Sequence, residues 1–260
     1  MSGGASASAN LAETMVCGLL SMSPRRLAAV LADAPERSAP WVRAAAEYGF
    51  VEGQVRYGRL LLEGQGVARD PAQALAWFRR AAEAGDAEGQ NMVGRCLENA
   101  WGVAADLAEA ALWYHRAAEA GHAWAQYNLG HLYLDGLGVA RDAVRALSLY
   151  RQAADQGHAR AMNLVGRCLE QGWGAPRDPI AARDWYRRSS EAGYFRGQYN
   201  FASLLVGEGL LDDAAAMFAK AVEGAPATSR RLMAEALVAG PHARLQAIGR
   251  RGLETLEVGS

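Results

Sequence analysis

Cysteine is scarce in this chain, charge of one sign does not accumulate, and no apolar run is long. Each absence excludes something. The 260 residues hold three cysteines, an odd number, so no disulfide framework rests on them. Cys96 and Cys168 occupy the same slot of sequence repeats two apart. Stacked helices lie about 8–10 Å from one another and a disulfide needs Cα atoms within about 7 Å, so this pair is expected to stay reduced, as small core side chains of a cytosolic protein. The 27 basic and 28 acidic residues leave a net charge of −1, which argues against duplex nucleic acid or an anionic membrane as the main partner. No apolar stretch approaches the roughly 18 residues that span a bilayer. The opening MSGGASASANLAETMVCGLL has no basic segment ahead of its short apolar run, which argues against a secretory signal. Motif chemistry is missing too: no HExxH, CxxC, GxSxG or phosphate-loop spacing occurs. His115, His122, His131, His158 and His242 form no constellation. The expectation is a chain without catalytic residues, metal or cofactor.

What the sequence does have is a period. Gly58, Gly94, Gly130 and Gly166 are spaced by 36, as are Gly85, Gly121, Gly157 and Gly193. Asp70, Asp106, Asp142 and Asp178 follow the same spacing, and so do Trp77, Trp113, Leu149 and Trp185. A fixed period in this range predicts a solenoid of stacked supersecondary units. With 51% hydrophobic residues the chain can bury a continuous core.

One unit, residues 125–157, reads as a helix pair. Ala125, Leu129, Leu132 and Tyr133 make the buried stripe of a first helix. Gly136-Leu137-Gly138 breaks it, because glycine accepts the positive φ that turns a chain. Asp142 then caps a second helix, and the equivalent Asp70 and Asp178 are followed by Pro71 and Pro179, proline at the first helical position. Ala146, Leu149 and Ala153 form that helix's inner face, and Gly157 closes it. Gly130 sits within the first helix, where glycine costs about 1 kcal/mol relative to alanine. Its recurrence predicts a close approach by a neighbouring helix. His122 and His158 follow the helix-ending glycines and are expected in capping or turns. The doublets Arg79-Arg80 and Arg187-Arg188, late in second helices, suit the negative end of the helix dipole and read as solvated faces.

The pattern extends past the clear copies. SAPWVRAAAEYG reads as the second helix of a worn repeat whose first helix falls within residues 11–31. Gln198-Tyr199-Asn200-Phe201-Ala202 opens a fifth copy with a shorter loop, since Met217 follows Trp185 by only 32. The organisation expected is a tail with degenerate capping helices over 1–36, the repeat array over 37–224, capping helices over 225–252, and a frayed tail over 253–260.

These residues resemble the Sel1-like repeat, a relative of the tetratricopeptide repeat with a longer turn between its two helices, and the resemblance implies a bacterial protein. The likeness rests on Tyr57, Gly58, Leu61, Gly64-Gln65-Gly66-Val67, Asp70, Ala74, Trp77, Ala81-Ala82 and Gly85, with their later counterparts. Ala100 departs from it at a loop glycine, Leu149 at the tryptophan and Ser189-Ser190 at the alanine pair. The resemblance implies an all-α, right-handed superhelix of antiparallel helix pairs, and a non-catalytic adaptor or scaffold that holds other proteins together. Secreted members often carry a cysteine pair in each repeat; its absence here implies the cytoplasm. Some bacterial members are associated with iron-uptake receptor and Fe(II)/2-oxoglutarate oxygenase genes.

In related repeats the outer side of the first helices lines a concave groove. Down the stack its slots are Val55/Arg59/Leu62, Asn91/Arg95/Glu98, Tyr127/His131/Leu134, Asn163/Arg167/Glu170 and Tyr199/Ser203/Val206. The even copies share Val-Gly-Arg-Cys-Leu-Glu and a loop tryptophan, Trp101 or Trp173, so the effective unit is 72 residues. Arg59, Asn91, Arg95, Tyr127, His131, Asn163, Arg167 and Tyr199 are the expected partner-binding positions. Asn plus Arg on one face can hold a carboxylate, which suits a protein or peptide partner with acidic groups. Arg95 with Glu98, and Arg167 with Glu170, can instead satisfy each other as i, i+3 pairs at about 0.2–0.5 kcal/mol. Two other classes stay open: a regulatory subunit of an enzyme, such as an iron-linked oxygenase, and an enzyme whose site the motifs miss.

Overall fold

The structure, a computed structural model, describes residues 33–257 continuously and 17–18, 21–23, 25 and 29–30 ahead of them. Within 11–31, where a helix is expected, residues 17–18, 21, 25 and 29–30 are helical and the rest, apart from 22–23, lie outside the described residues, as does the tail at 1–10. From residue 33 to 257 the chain is thirteen α-helices, and no strand occurs among the described residues. In order they are α1 Pro35–Tyr48, α2 Val51–Glu63, α3 Pro71–Glu83, α4 Ala87–Glu98, α5 Leu107–Glu119, α6 Ala123–Asp135 and α7 Ala143–Asp155. Then come α8 Ala159–Gln171, α9 Pro179–Glu191, α10 Phe195–Gly207, α11 Leu211–Gly224, α12 Ala227–Ala239 and α13 Ala243–Glu257. The molecule is an all-α solenoid of repeated helix pairs. It comprises two compact units, one reaching Leu132 and including Gly136–Ala140, the other Tyr133–Asp135 with Arg141 onward. In the first, α1 to α5 pack each against the next; in the second, α7 to α13 do so, and α8 also touches α10.

Capping sets the helix starts. Asp70, Asp106, Asp142 and Asp178 accept from the backbone N–H groups of Gln73, Glu109, Arg145 and Ala181. His122 and His158 do the same with Nδ1, at 3.2 Å from the N–H of Ala125 and Ala161. An imidazole that accepts at Nδ1 must carry its proton on Nε2, so these caps work in one neutral tautomer. At the other helix ends Gly64, Gly136 and Gly172 take a left-handed φ of 72°, 72° and 77°, and Ala100 takes 56° in the same slot. Ala100 therefore keeps the turn that glycine makes elsewhere, against its own side chain.

The deepest core is a row the tryptophan spacing does not reveal. Phe78, Tyr114, Tyr150 and Tyr186, again 36 apart, are fully buried. Trp77 is buried, while Trp113, Leu149 and Trp185 at the neighbouring slot are half-buried. The helix glycines exist for this row. A Cβ on Gly58 would stand 2.5 Å from the Phe78 ring, and on Gly94 or Gly166 2.7 and 2.8 Å from Tyr114 and Tyr186. The close approach expected of these glycines is thus to an aromatic ring of the next helix.

The late arginine doublets are not simply solvated. Arg80, Arg116 and Arg188 lie over Trp77, Trp113 and Trp185, 4.4, 4.6 and 3.9 Å from the ring centroids. One turn apart on a helix, the guanidinium covers the indole. In the third repeat both partners change together, to Leu149 and Gln152.

The fifth helix pair, α10 and α11, is joined by a loop over 208–210 in place of the 64–70 loop of the first copy. Residues 253–257, expected as a frayed tail, continue α13 to Glu257. They hold because α13 packs on α11: Gly252 stands where a Cβ would meet the Val222 side chain at 2.5 Å.

Candidate functional site

The expected site residues fall into three classes by what covers them. At Val55, Asn91, Asn163 and Tyr199 the first slot turns into the seam between neighbours. Val55 is buried, and Asn91 and Asn163 are each 3% exposed. Asn128 Nδ2 donates to Asn91 Oδ1 at 3.1 Å, and Asn200 Nδ2 donates to Asn163 Oδ1 at 2.8 Å. Each amide bond ties one first helix to the next. Tyr199 also turns inward, its ring 5.0 Å from Phe218 of the core. Burial pushes its hydroxyl pKa up. The open first slot expected at Val55, Asn91, Asn163 and Tyr199 is therefore corrected. The sequence shows the face but not the rotation between repeats, and that rotation decides which flank a neighbour covers.

The second slot is the outward one. Arg59, Arg167 and Ser203 are exposed, and Arg95 and His131 half-exposed. Arg59 is occupied: it donates to Glu88, whose other oxygen lies 2.6 Å from His122 Nε2. Burial pushes the Glu88 carboxyl up, but the His122 and Arg59 hydrogen bonds outweigh it and hold the group below the usual carboxylate range. Arg95 and Arg167 make no ion pair among the described residues. Each lies over the loop tryptophan of its own repeat, 5.2 Å from Trp101 and 5.5 Å from Trp173. The loop tryptophans are thus platforms for the outward arginines. Such stacking fixes a guanidinium without consuming its N–H donors.

The third slot does not pair with the second. Glu98 accepts from the Tyr114 hydroxyl at 2.6 Å, and Glu170 from Tyr186 at 2.9 Å. The i, i+3 pairs Arg95–Glu98 and Arg167–Glu170 do not form. Burial, and then the carboxylate alongside, push both tyrosine pKa values far up, so these phenols stay donors. Leu134 is buried. In the first unit Trp124, Tyr127 and His131 form an aromatic row, with centroids 5.9 and 4.6 Å apart. Trp124, 42% exposed, is a surface aromatic the slot pattern missed, one turn before Asn128 on the same helix.

Cys96 and Cys168 are buried thiols, pushed up to about 11 by burial. Among the described residues no three of His, Cys, Asp and Glu converge as a metal site requires. No described helix is long and apolar enough to cross a membrane.

Helix pairs joined by inter-repeat amide bonds, with stacked arginines on the outward side, define a helical-repeat protein. The Sel1 repeat family matches residues 51–86, 87–122, 125–158 and 159–194, and the chain belongs to that family. Proteins of this kind are generally protein-interaction scaffolds, typically without catalysis. A Sel1 repeat protein from Oxalobacter formigenes is 26% identical, with 85% of this chain and 91% of that one aligned at a TM-score of 0.73. The immunity protein Pa5087 from Pseudomonas aeruginosa is 16% identical over 80% of this chain and 82% of its own, with a TM-score of 0.51, a likeness of fold alone. No curated protein matches the chain.

Proposed function

We propose that this protein is a non-catalytic adaptor of the bacterial cytoplasm that binds a partner protein along the outward side of its first helices. In this reading residues 37–224 are the binding array, and Arg95 and Arg167 are its main polar contacts. Arg59 has a lesser part because Glu88 already holds it. Tyr127 and His131, with Trp124, give the partner an apolar contact in the first unit.

The observation that carries the reading is the state of Arg95 and Arg167. Each is outward, free of any carboxylate among the described residues, and propped on a tryptophan. Arg95 donates one N–H weakly to the Met92 thioether at 3.6 Å, and its other donors, like those of the exposed Arg167, meet no carboxylate among the described residues, so both are prepared for an acceptor from a partner.

Affinity capture from native lysate with wild type and an Arg95→Ala/Arg167→Ala double variant tests it. A specific protein retained by wild type and lost from the double variant is expected. Equal retention by both would overturn the proposed face. Turnover of a substrate by the purified chain alone would overturn the non-catalytic reading.

A further inference from the structure

We infer that the second unit carries a carboxylate pocket, and that α12, the first helix of the C-terminal capping pair, forms one of its walls. The inference rests on the adaptor reading and names the chemistry of the group the partner inserts. Three first helices supply the lining of a cavity of about 230 Å3. From α8 come Asn163 and Arg167, and from α10 come Arg196 and Asn200. Ser229, Leu232 and Met233 come from α12. Beyond its part at the end of the array, α12 thus completes a site.

The lining holds two guanidinium groups and no carboxylate. Two other cavities differ on this point. One of about 560 Å3 in the first unit has Asp33, Glu52, Glu63, Asp86 and Glu88 around its arginines. Another of about 770 Å3, between α11 and α13, has Glu223 in its lining beside Arg251, with Arg230 spent on the carbonyls of Val222, Glu223 and Ala225 and Arg244 on Asp212. By contrast, Arg167 and Arg196 make no ion pair among the described residues. Their guanidinium groups lie 5.5 Å from the Trp173 ring and 5.8 Å from the Phe195 ring.

Asn163 is a second, independent pointer. It is 3% exposed, and its Oδ1 accepts from Asn200 at 2.8 Å. No acceptor among the described residues takes its Nδ2 hydrogens. That nitrogen is not one of the fully buried side-chain atoms left without a partner, so it reaches the cavity surface and can donate to a ligand oxygen there. Ser229 stands in the first turn of α12, whose N-cap residue, Pro226, provides no capping side chain. That turn adds an excess of N–H groups over acceptors.

A flat anion with two oxygens fits two forked donors and an amide together. Leu232, 65% exposed, and Met233 flank the donors and ask for an aliphatic group next to the anion. The ligand class is a carboxylate adjoining an aliphatic side chain, from an internal acidic residue or from a chain terminus. The first unit repeats the asparagine pair at Asn91 and Asn128 and the stacked arginine at Arg95. At the slot of Arg196, 72 residues earlier, it has Trp124. At that one position the second unit thus has a cation where the first has an indole.

The test is a side-chain NMR titration of the isotope-labelled full chain with three peptides and with inorganic phosphate. Ac-Ala-Leu-Glu-Ala-NH2 carries a side-chain carboxylate, Ac-Ala-Ala-Leu-OH a terminal one, and Ac-Ala-Leu-Gln-Ala-NH2 neither. At least one carboxylated peptide is expected to shift Arg167 and Arg196 Nε–H, the Asn163 amide and the Leu232 methyls saturably, and which one does so identifies the source. Arg196→Ala should weaken that binding roughly ten- to a hundredfold. Arg196→Lys, which keeps the charge but not the fork, should lose most of it too, and Arg188→Ala should change nothing. Equal shifts with the glutamine peptide, shifts with phosphate alone, no response to either carboxylate, or full binding by Arg196→Ala would each overturn the pocket. A captured partner kept by Arg196→Ala while the peptides fail overturns the pocket and leaves the adaptor reading standing. Saturable peptide binding with no protein partner does the reverse.

Discussion

The Tyr114 hydroxyl donates to Glu98 across 2.6 Å, while its ring lies 2.7 Å from where a Cβ on Gly94 would stand. One side chain thus fixes the spacing of two helices and settles the charge on the outward face. Tyr186, Glu170 and Gly166 repeat the arrangement. In the first repeat the corresponding slots are Phe78 and Leu62, apolar on both sides.

Gly94→Ala tests the packing. The new methyl collides with a fully buried ring, and overpacking of this kind typically costs about 1–3 kcal/mol. Thermal unfolding of the variant should show a clearly lowered Tm. The same loss is expected at Gly166. An unchanged Tm would mean that the rings move aside freely and that glycine is not required there.

Local features of this fold are legible in the sequence because they depend on a few adjacent residues. Asp142 as a cap, Pro71 at a first turn and Gly136 at a left-handed turn each act within their own repeat. The row Phe78, Tyr114, Tyr150 and Tyr186 had a signal, an aromatic every 36 residues, but the tryptophan beside it masks the row. What is not legible depends on the rotation between repeats. Asn91 and Arg95 are one turn apart on α4, yet Asn128 of the next first helix, α6, covers only the first. Arg196 and α12 escape the period because the last copies are irregular.

Ala100→Gly should stabilise the protein by about 1 kcal/mol. Ala100 sits at φ 56°, a conformation that costs an L residue roughly 1–2 kcal/mol and glycine almost nothing. Chemical denaturation should show a raised midpoint with an unchanged slope. A lowered midpoint would mean that the alanine methyl makes a contact worth more than the strain.

Glu88 gives the protein a pH-dependent contribution. Its carboxyl is held below the usual range when folded, so its stabilisation is fully present above the ordinary carboxylate pKa of about 4.3 and is lost as pH falls through the folded value. Glu88→Gln should therefore be less stable than wild type at neutral pH, and the gap should close as acid is added. A gap that stayed constant from neutral to strongly acid pH would show that the Arg59–Glu88–His122 chain contributes nothing electrostatic.

The central claim is that binding lies on the outward side of the first helices. The direct measurement is calorimetric titration of the captured partner into Arg95→Ala, Arg167→Ala, Arg80→Ala and Arg188→Ala variants at low and high salt. Arg80 and Arg188 are already engaged over Trp77 and Trp185 on second helices, so their loss should leave affinity near wild type. Loss of a charge-assisted hydrogen bond costs about 1.5–3 kcal/mol, so Arg95→Ala and Arg167→Ala should each weaken binding roughly ten- to a hundredfold, and less so at high salt. Equal losses for all four variants would contradict the account.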